Sequence, residues 1–240
     1  MGLFSKKSCS VCGEDCGRIF VRKLEDGNLC KDCTKKLSPF FSERRHSTVE
    51  EIRRQLAYRE ANLAEVEAFH VTQTLGNGTK VLIDEDAGKF IVTSARSWKD
   101  ENPDVIPLAS VTGCRCDVDE TKTEIKKDGP DGKKISYNPP RYDIDYNFEV
   151  VINVDTPWFD EIKFRLNGST IDRRASAEYR NCEAMGKEIC EALTKVRQGL
   201  RDKAAADAAP KTAQTCPHCG ATTIADANGC CEYCGGALNG

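Results

Sequence analysis

Histidine is scarce in this 240-residue chain: His46, His70 and His218 are all there are, and none stands in an HExxH or HxE setting. That removes the common sequence signatures of hydrolytic zinc sites. No glycine-rich loop follows a strand and no G-x-S-x-G elbow occurs, so phosphate-cradle and serine-hydrolase chemistry lose their usual marks too. The carboxylates Asp143 and Asp145 stand two apart in an alternating segment, where they read as the wet face of a strand. The chain is therefore expected not to be an enzyme. No run reaches the roughly eighteen apolar residues of a membrane-spanning helix, so a transmembrane segment is not expected. Met1-Gly-Leu-Phe-Ser-Lys-Lys7 lacks the apolar stretch of a secretory signal, and Ser5 with Lys6 does not fit a myristoylation pattern. The expected location is cytoplasmic.

Cysteine, by contrast, is abundant: fourteen residues, eight of them in two quartets. Cys9-x2-Cys12 pairs with Cys30-x2-Cys33 near the start, and Cys216-x2-Cys219 pairs with Cys231-x2-Cys234 near the end. A C-x2-C turn sets two sulfurs on one knuckle, and two knuckles supply the four thiolates of a tetrahedral Zn2+ site. A reducing compartment favours thiolate ligation over a disulfide framework. Two zinc ions are expected, although Cys-Pro-x-Cys-Gly knuckles also fit iron at the second site. Cys16 is expected not to be a ligand, and Cys231 is preferred to Cys230 because it restores the x2 spacing. Cys114 and Cys116 share one face of an expected strand, and Cys182 and Cys190 lie on an expected helix. These four are read as core residues in preference to a third metal site.

Charge is unevenly spread over the net −3. Residues 1–46 carry ten Lys or Arg against six Asp or Glu, while residues 214–240 carry only Asp226 and Glu232. A zinc-tetrathiolate centre adds about −2 to each module. The terminal module is thus anionic and poorly suited to phosphate. In the first, Lys6, Lys7, Arg18, Arg22, Lys23, Lys31, Lys35 and Lys36 leave nucleic-acid binding open.

Five segments follow from patterning. Residues 1–46 read as a finger of treble-clef order, with a strand around Arg18–Lys23, a turn at Glu25–Asn28 and a helical turn after Cys33. Residues 47–70 read as a connector helix opened by the capping box Ser47-Thr-Val-Glu50. Its apolar stripe is Val49, Ile52, Leu56, Leu63 and Val66, interrupted by Arg59, which favours packing on its own chain over a coiled coil. Residues 71–200 form a β domain with a closing helix. Lys80–Asp84 and Lys89–Thr93 flank a hairpin turn, residues 111–126 and 161–166 are further strands, and Tyr142 to Val154 alternate strictly with polar residues and Val151, the pattern of an antiparallel sheet wet on one face. Tyr179, Cys182, Gly186, Ile189, Leu193, Val196 and Leu200 give the closing helix its apolar stripe. Residues 201–214 are an Ala-rich linker, and residues 215–240 a zinc ribbon.

The finger's Lys23-Leu-Glu-Asp-Gly-Asn-Leu-Cys30 core resembles that of a bacterial family of unknown function, in which a four-cysteine finger is followed by a helix and a pleckstrin-homology-like domain. Phe69, Ile83-Asp84-Glu85, Asn102-Pro103 and the closing helix match that layout over about residues 5–200. The resemblance implies an α+β fold, a pleckstrin-homology-like antiparallel β domain flanked by two small zinc modules. It implies no reaction. The expected role is a protein-interaction adaptor with an unidentified protein partner. Alternatives are nucleic-acid binding through the first finger and weak anionic-lipid binding through the basic loop Lys126-Lys127 to Lys133-Lys134.

Overall fold

Among the described residues every strand pairs antiparallel with a strand next to it in chain order. The computed structural model describes residues 7–17, 21–208, 213–226 and 229–238. Lys6 and Arg18 lie outside them. By internal contacts the chain divides into Met1–Gln198 and Gly199–Gly240.

The first unit opens with β1 (Arg22–Lys23) and β2 (Asn28–Leu29), then α1 (Lys31–Lys36) and α2 (Val49–Ala68). The helix α2 starts one residue later than the capping pattern suggests. Thr48 is the cap: its hydroxyl accepts from Glu51 N at 3.3 Å, and its own N–H donates to the Glu51 carboxylate at 2.7 Å. Ser47 is unavailable because its hydroxyl donates to the Glu43 carbonyl at 2.9 Å. The Thr48 amide and hydroxyl hold the Glu51 carboxyl below the usual range.

The buried face of α2 also departs from the expected stripe. Ile52 and Val66 are buried, but between them lie Gln55, Arg59 and Asn62, while Leu63 is 51% exposed. The cause is a polar clamp. Arg59 donates from Nη1 to Asp104 Oδ1 at 2.8 Å, from Nε to the Lys36 carbonyl at 3.3 Å, and from Nη2 to the Asn102 carbonyl. Ser38 donates to the other Asp104 oxygen at 2.7 Å, and Asn62 bonds both the Pro103 carbonyl, at 2.7 Å, and Val105 N, at 2.9 Å. Asn102 adopts a left-handed conformation, φ 47°, which asparagine tolerates better than most residues. Burial pushes the Asp104 carboxyl up against the pull of Arg59 and Ser38. Each nitrogen of the Arg59 guanidinium has a partner, so this buried helix face avoids the larger cost of an unpaired charge. Gln55 is fully buried, with no hydrogen-bond partner for either amide atom among the described residues.

Two sheets follow. One orders β3 (Gln73–Leu75), β4 (Lys80–Asp84), β5 (Lys89–Thr93) and β6 (Ile106–Pro107); the other orders β7 (Val111–Asp128), β8 (Lys134–Val154) and β9 (Glu161–Arg165). The expected hairpin at residues 85–88 is the β4–β5 turn. On β8, Phe148, Val150, Ile152 and Val154 are buried and Glu149 is exposed, as alternation requires. Two positions differ. Val151, assigned to the wet face, is fully buried because it lies in register between Arg115 and Lys163, whose long stems flank it. Tyr142, assigned to the core face, is 53% exposed. The reason is that β9 covers β8 only over residues 149–153, so below Tyr146 the strands β7 and β8 run on as a two-stranded ribbon.

In the helix α3 (Ala177–Ala208), Tyr179, Cys182, Ile189 and Leu193 of the expected stripe are buried, while the Leu200 side chain lies outside the described residues. The Tyr179 ring meets Phe148 at 4.8 Å and Tyr146 at 5.2 Å. At Gly186 an added Cβ would lie 2.4 Å from Cys116 Sγ, so glycine is what lets the helix come this close. One turn on, Cys114 of β7 and Cys190 of α3 are joined by a disulfide. That corrects the reading of all four central cysteines as free core residues, since the close approach places these two Cα atoms 5.1 Å apart. The second unit contains the end of α3, then β10 (Gln214–Thr215) paired with β11 (Thr222–Thr223). The expected linker is helical as far as Ala208.

Candidate metal centres

Each centre is assembled from two chain reversals. In the first, Gly13 N–H donates to the Cys9 carbonyl at 2.9 Å, and Gly13, at φ 81°, takes the left-handed turn that closes the knuckle. The second reversal is a helix start: Cys30 is the N-cap of α1, and its sulfur accepts from Cys33 N at 3.4 Å. The segment between them explains the Lys23–Cys30 motif. Leu24 and Leu29 are buried, and Leu24 N bonds the Gly27 carbonyl at 2.9 Å to make the turn. Asp26 accepts from Val49 N at 2.7 Å, holding the first turn of α2. A Cβ at Gly27 would come within 2.6 Å of both Ser10 and Val49, so the glycine sets how closely the helix sits on the knuckle.

The result brings Cys9, Cys12, Cys30 and Cys33 together with all sulfurs within 4.8 Å of one another. Cys12 is exposed and the other three are buried. Four sulfurs this close cannot all ionise without a counter-charge. Burial raises the Cys9 thiol, but the backbone N–H groups of Cys12, Cys30 and Val11 outweigh it and bring the thiol down to about 6. Burial and the neighbouring sulfurs push Cys33 up. A divalent soft-tolerant cation resolves that conflict, which is the donor chemistry of zinc. Cys16 lies outside the cluster, buried, with its thiol raised by burial and by the charges of Cys9, Cys30 and Cys12.

Residues 7–55 match the model of a domain of unknown function, DUF4428. The match covers the finger and the first turns of α2. No curated protein and no solved structure matches the chain. DUF4428 thus describes the first centre and carries no reaction to it.

The second centre repeats the knuckle twice. Gly220 N bonds the Cys216 carbonyl at 2.9 Å and Gly235 N bonds the Cys231 carbonyl at 2.8 Å. Cys216, Cys219, Cys231 and Cys234 again hold their sulfurs within 4.8 Å. Against burial, the Cys219 and His218 amides bring Cys216 down to about 6. Gly236 N–H lowers Cys234, but the sulfurs of Cys219 and Cys216 prevail and push it up to about 12. The His218 ring lies over Gly236, where a Cβ would approach it to 2.5 Å. Cys230 stands outside this cluster. Each cluster can hold one zinc ion. In a closed four-sulfur site the metal fixes the chain and offers no open position to water or substrate. Cys116 and Cys182 belong to no metal cluster among the described residues. The Cys114–Cys190 bond had a trace in the sequence, four cysteines on facing elements, but nothing there said which pair meets.

Proposed function

We propose that the chain is a non-enzymatic zinc protein of the cytoplasm that works as a protein-interaction adaptor, with zinc supplying fold and a pleckstrin-homology-like β domain supplying the platform. The observation that carries this reading is the ribbon beyond β9. There Ile135 and Tyr142 are 41% and 53% exposed, and Val118, opposite Phe148 just above it on β7, is 38% exposed; among the described residues β7 has no strand on its outer edge and β8 has β9 beside it only over residues 149–153. Exposed apolar side chains on an unpaired edge suit an extended protein segment that adds as a strand. No helix among the described residues is long and apolar enough to cross a membrane.

The ribbon's basic tip supports lipid binding less well. Lys134 pairs with Asp128 at 2.8 Å and Lys126 with Glu124 at 3.8 Å, while Lys127 and Arg141 lie on the Tyr137 ring. Nucleic-acid binding has one observation in its favour: burial, then Arg22 and Arg45, lowers Arg44, marking three guanidiniums held close together.

The test is a pulldown from the native host with the wild-type chain and with Val118→Ser/Tyr142→Ser, alongside vesicle pelleting and a salt-dependent nucleic-acid shift. The adaptor reading expects a partner lost on substitution, with zinc content and melting behaviour kept. A partner retained by the variant, or binding confined to vesicles or nucleic acid, overturns it.

A further inference from the structure

The Cys114–Cys190 disulfide lies outside both four-sulfur clusters and has no part in the adaptor reading. It joins β7 to α3 across a sequence separation of 76. Both residues are half-buried, and Cys190 borders a shallow depression of about 630 Å3 lined by Lys187, Glu188, Glu191, Thr194 and Lys195. Of the two cysteines, Cys190 is the one that borders this open surface. The neighbouring pair is different in kind. Cys182 is buried, and burial pushes its thiol up; burial likewise pushes Cys116 up to about 11. Both stay protonated and are poor nucleophiles.

Around the bond, α3 keeps other holds on the sheet. Ile189 and Leu193 are fully buried, and Arg197 donates from Nη1 to the carbonyls of Val111, at 2.8 Å, and Thr112, at 3.1 Å. Breaking the bond would loosen this seam without releasing it. A half-buried bond that borders an open depression at one end, in a seam that other contacts also hold, has the attributes of an exchangeable one.

We propose that Cys114 and Cys190 form a reversible dithiol–disulfide couple, reached at Cys190 by a low-molecular-weight thiol of the glutathione type, that sets how firmly α3 is fixed to the β7–β9 sheet. In the reducing direction a small thiolate attacks the Cys190 sulfur, the S–S bond breaks, and its electron pair leaves on the Cys114 sulfur, which takes a proton. A second small thiolate then attacks the small-thiol sulfur of the mixed disulfide, and Cys190 leaves and is protonated. One protein disulfide and two small thiols thus become two protein thiols and one small disulfide. Oxidation is the reverse, with the small disulfide as oxidant.

The test uses the full, zinc-loaded chain equilibrated in glutathione buffers from mostly oxidised to mostly reduced, then quenched in acid, alkylated and mapped by peptide mass. The ratio of reduced to cross-linked Cys114–Cys190 peptides is expected to rise in proportion to the squared concentration of reduced glutathione divided by the first power of the oxidised concentration, with both zinc ions retained. The thermal midpoint should fall by about 5–15 °C on reduction. Cys190→Ser should melt like reduced wild type in every buffer. Cys190 alkylated at all ratios, a bond that does not exchange, an unchanged midpoint, or zinc release that tracks loss of the bond would each overturn the proposal. Should Cys190→Ser not fold, the wild-type peptide map and midpoint decide alone.

Discussion

In the first finger the buried sulfurs share a core with Leu24, Leu29, Leu37 and Ile52, whereas in the terminal module the buried hydrophobic cluster among the described residues is Cys216, Cys231 and Leu238, with Ala225 beside it. The ligand chemistry is the same and the surroundings are not. Where the metal site is nearly the whole core, folding and metal binding are one event. Where leucines and a helix share the core, the metal fixes local geometry inside a structure that other contacts also hold. The first finger has further ties of that kind: Phe40 meets Phe159 at 5.4 Å and Phe41 meets Trp158 at 6.3 Å between ring centroids.

The largest expected effect separates the two at once. Cys231→Ser should unfold residues 213–238, because binding energy on the order of 10 kcal/mol is their folding energy. Cys30→Ser should disorder the knuckles while α2 beyond Ile52 and both sheets keep their amide protection. Hydrogen exchange resolved by residue measures both, and equal local losses in the two variants would abolish the distinction. Next comes the clamp. Arg59→Ala leaves Asp104 buried and unpaired and should cost about 3–5 kcal/mol in denaturant unfolding, most of it recovered in Arg59→Met/Asp104→Leu. A cost under about 1 kcal/mol would mean that the finger is not held in this way.

Smaller in size and opposite in sign is Gln55→Leu. With neither amide atom partnered, the substitution should stabilise the first unit by about 1–3 kcal/mol, and a loss of stability would point to a partner the amide already has. The smallest effect is at the cap. The folded-state pKa of Glu51 is lowered, so its contribution is present above its unfolded value, about 4.3, and is lost as pH falls through the folded one. The stability gap between wild type and Glu51→Gln should close on acidification, and a gap that widens would reverse the assignment.

Both quartets were legible because ligand spacing is local: two residues between cysteines fix a knuckle whatever lies beyond it. The β4–β5 hairpin and the α3 stripe were legible for the same reason. The buried face of α2 was not, since Arg59 and Asn62 find most of their partners at residues 102–105, forty or more positions away. Alternation in β8 marked the strand but could not tell where β9 stops covering it. The capping box failed by one residue because Ser47-x-x-Glu50 and Thr48-x-x-Glu51 satisfy the same pattern, and only the competing bond from Ser47 to Glu43 decides between them.

One guanidinium touches two distant stretches of chain, at Lys36 and at Asn102–Asp104. The DUF4428 match ends at residue 55, four positions short of it. A finger excised at that border would therefore carry away the Lys36 carbonyl without its donor, Arg59, and the Ser38 hydroxyl without its acceptor, Asp104, and would leave each of those two residues one partner short. Transplanting this finger into another protein, or swapping a relative's finger into this one, has to treat Arg59 and residues 102–104 as part of the graft. The segment that recurs as a sequence and the segment that stands as a body end at different places.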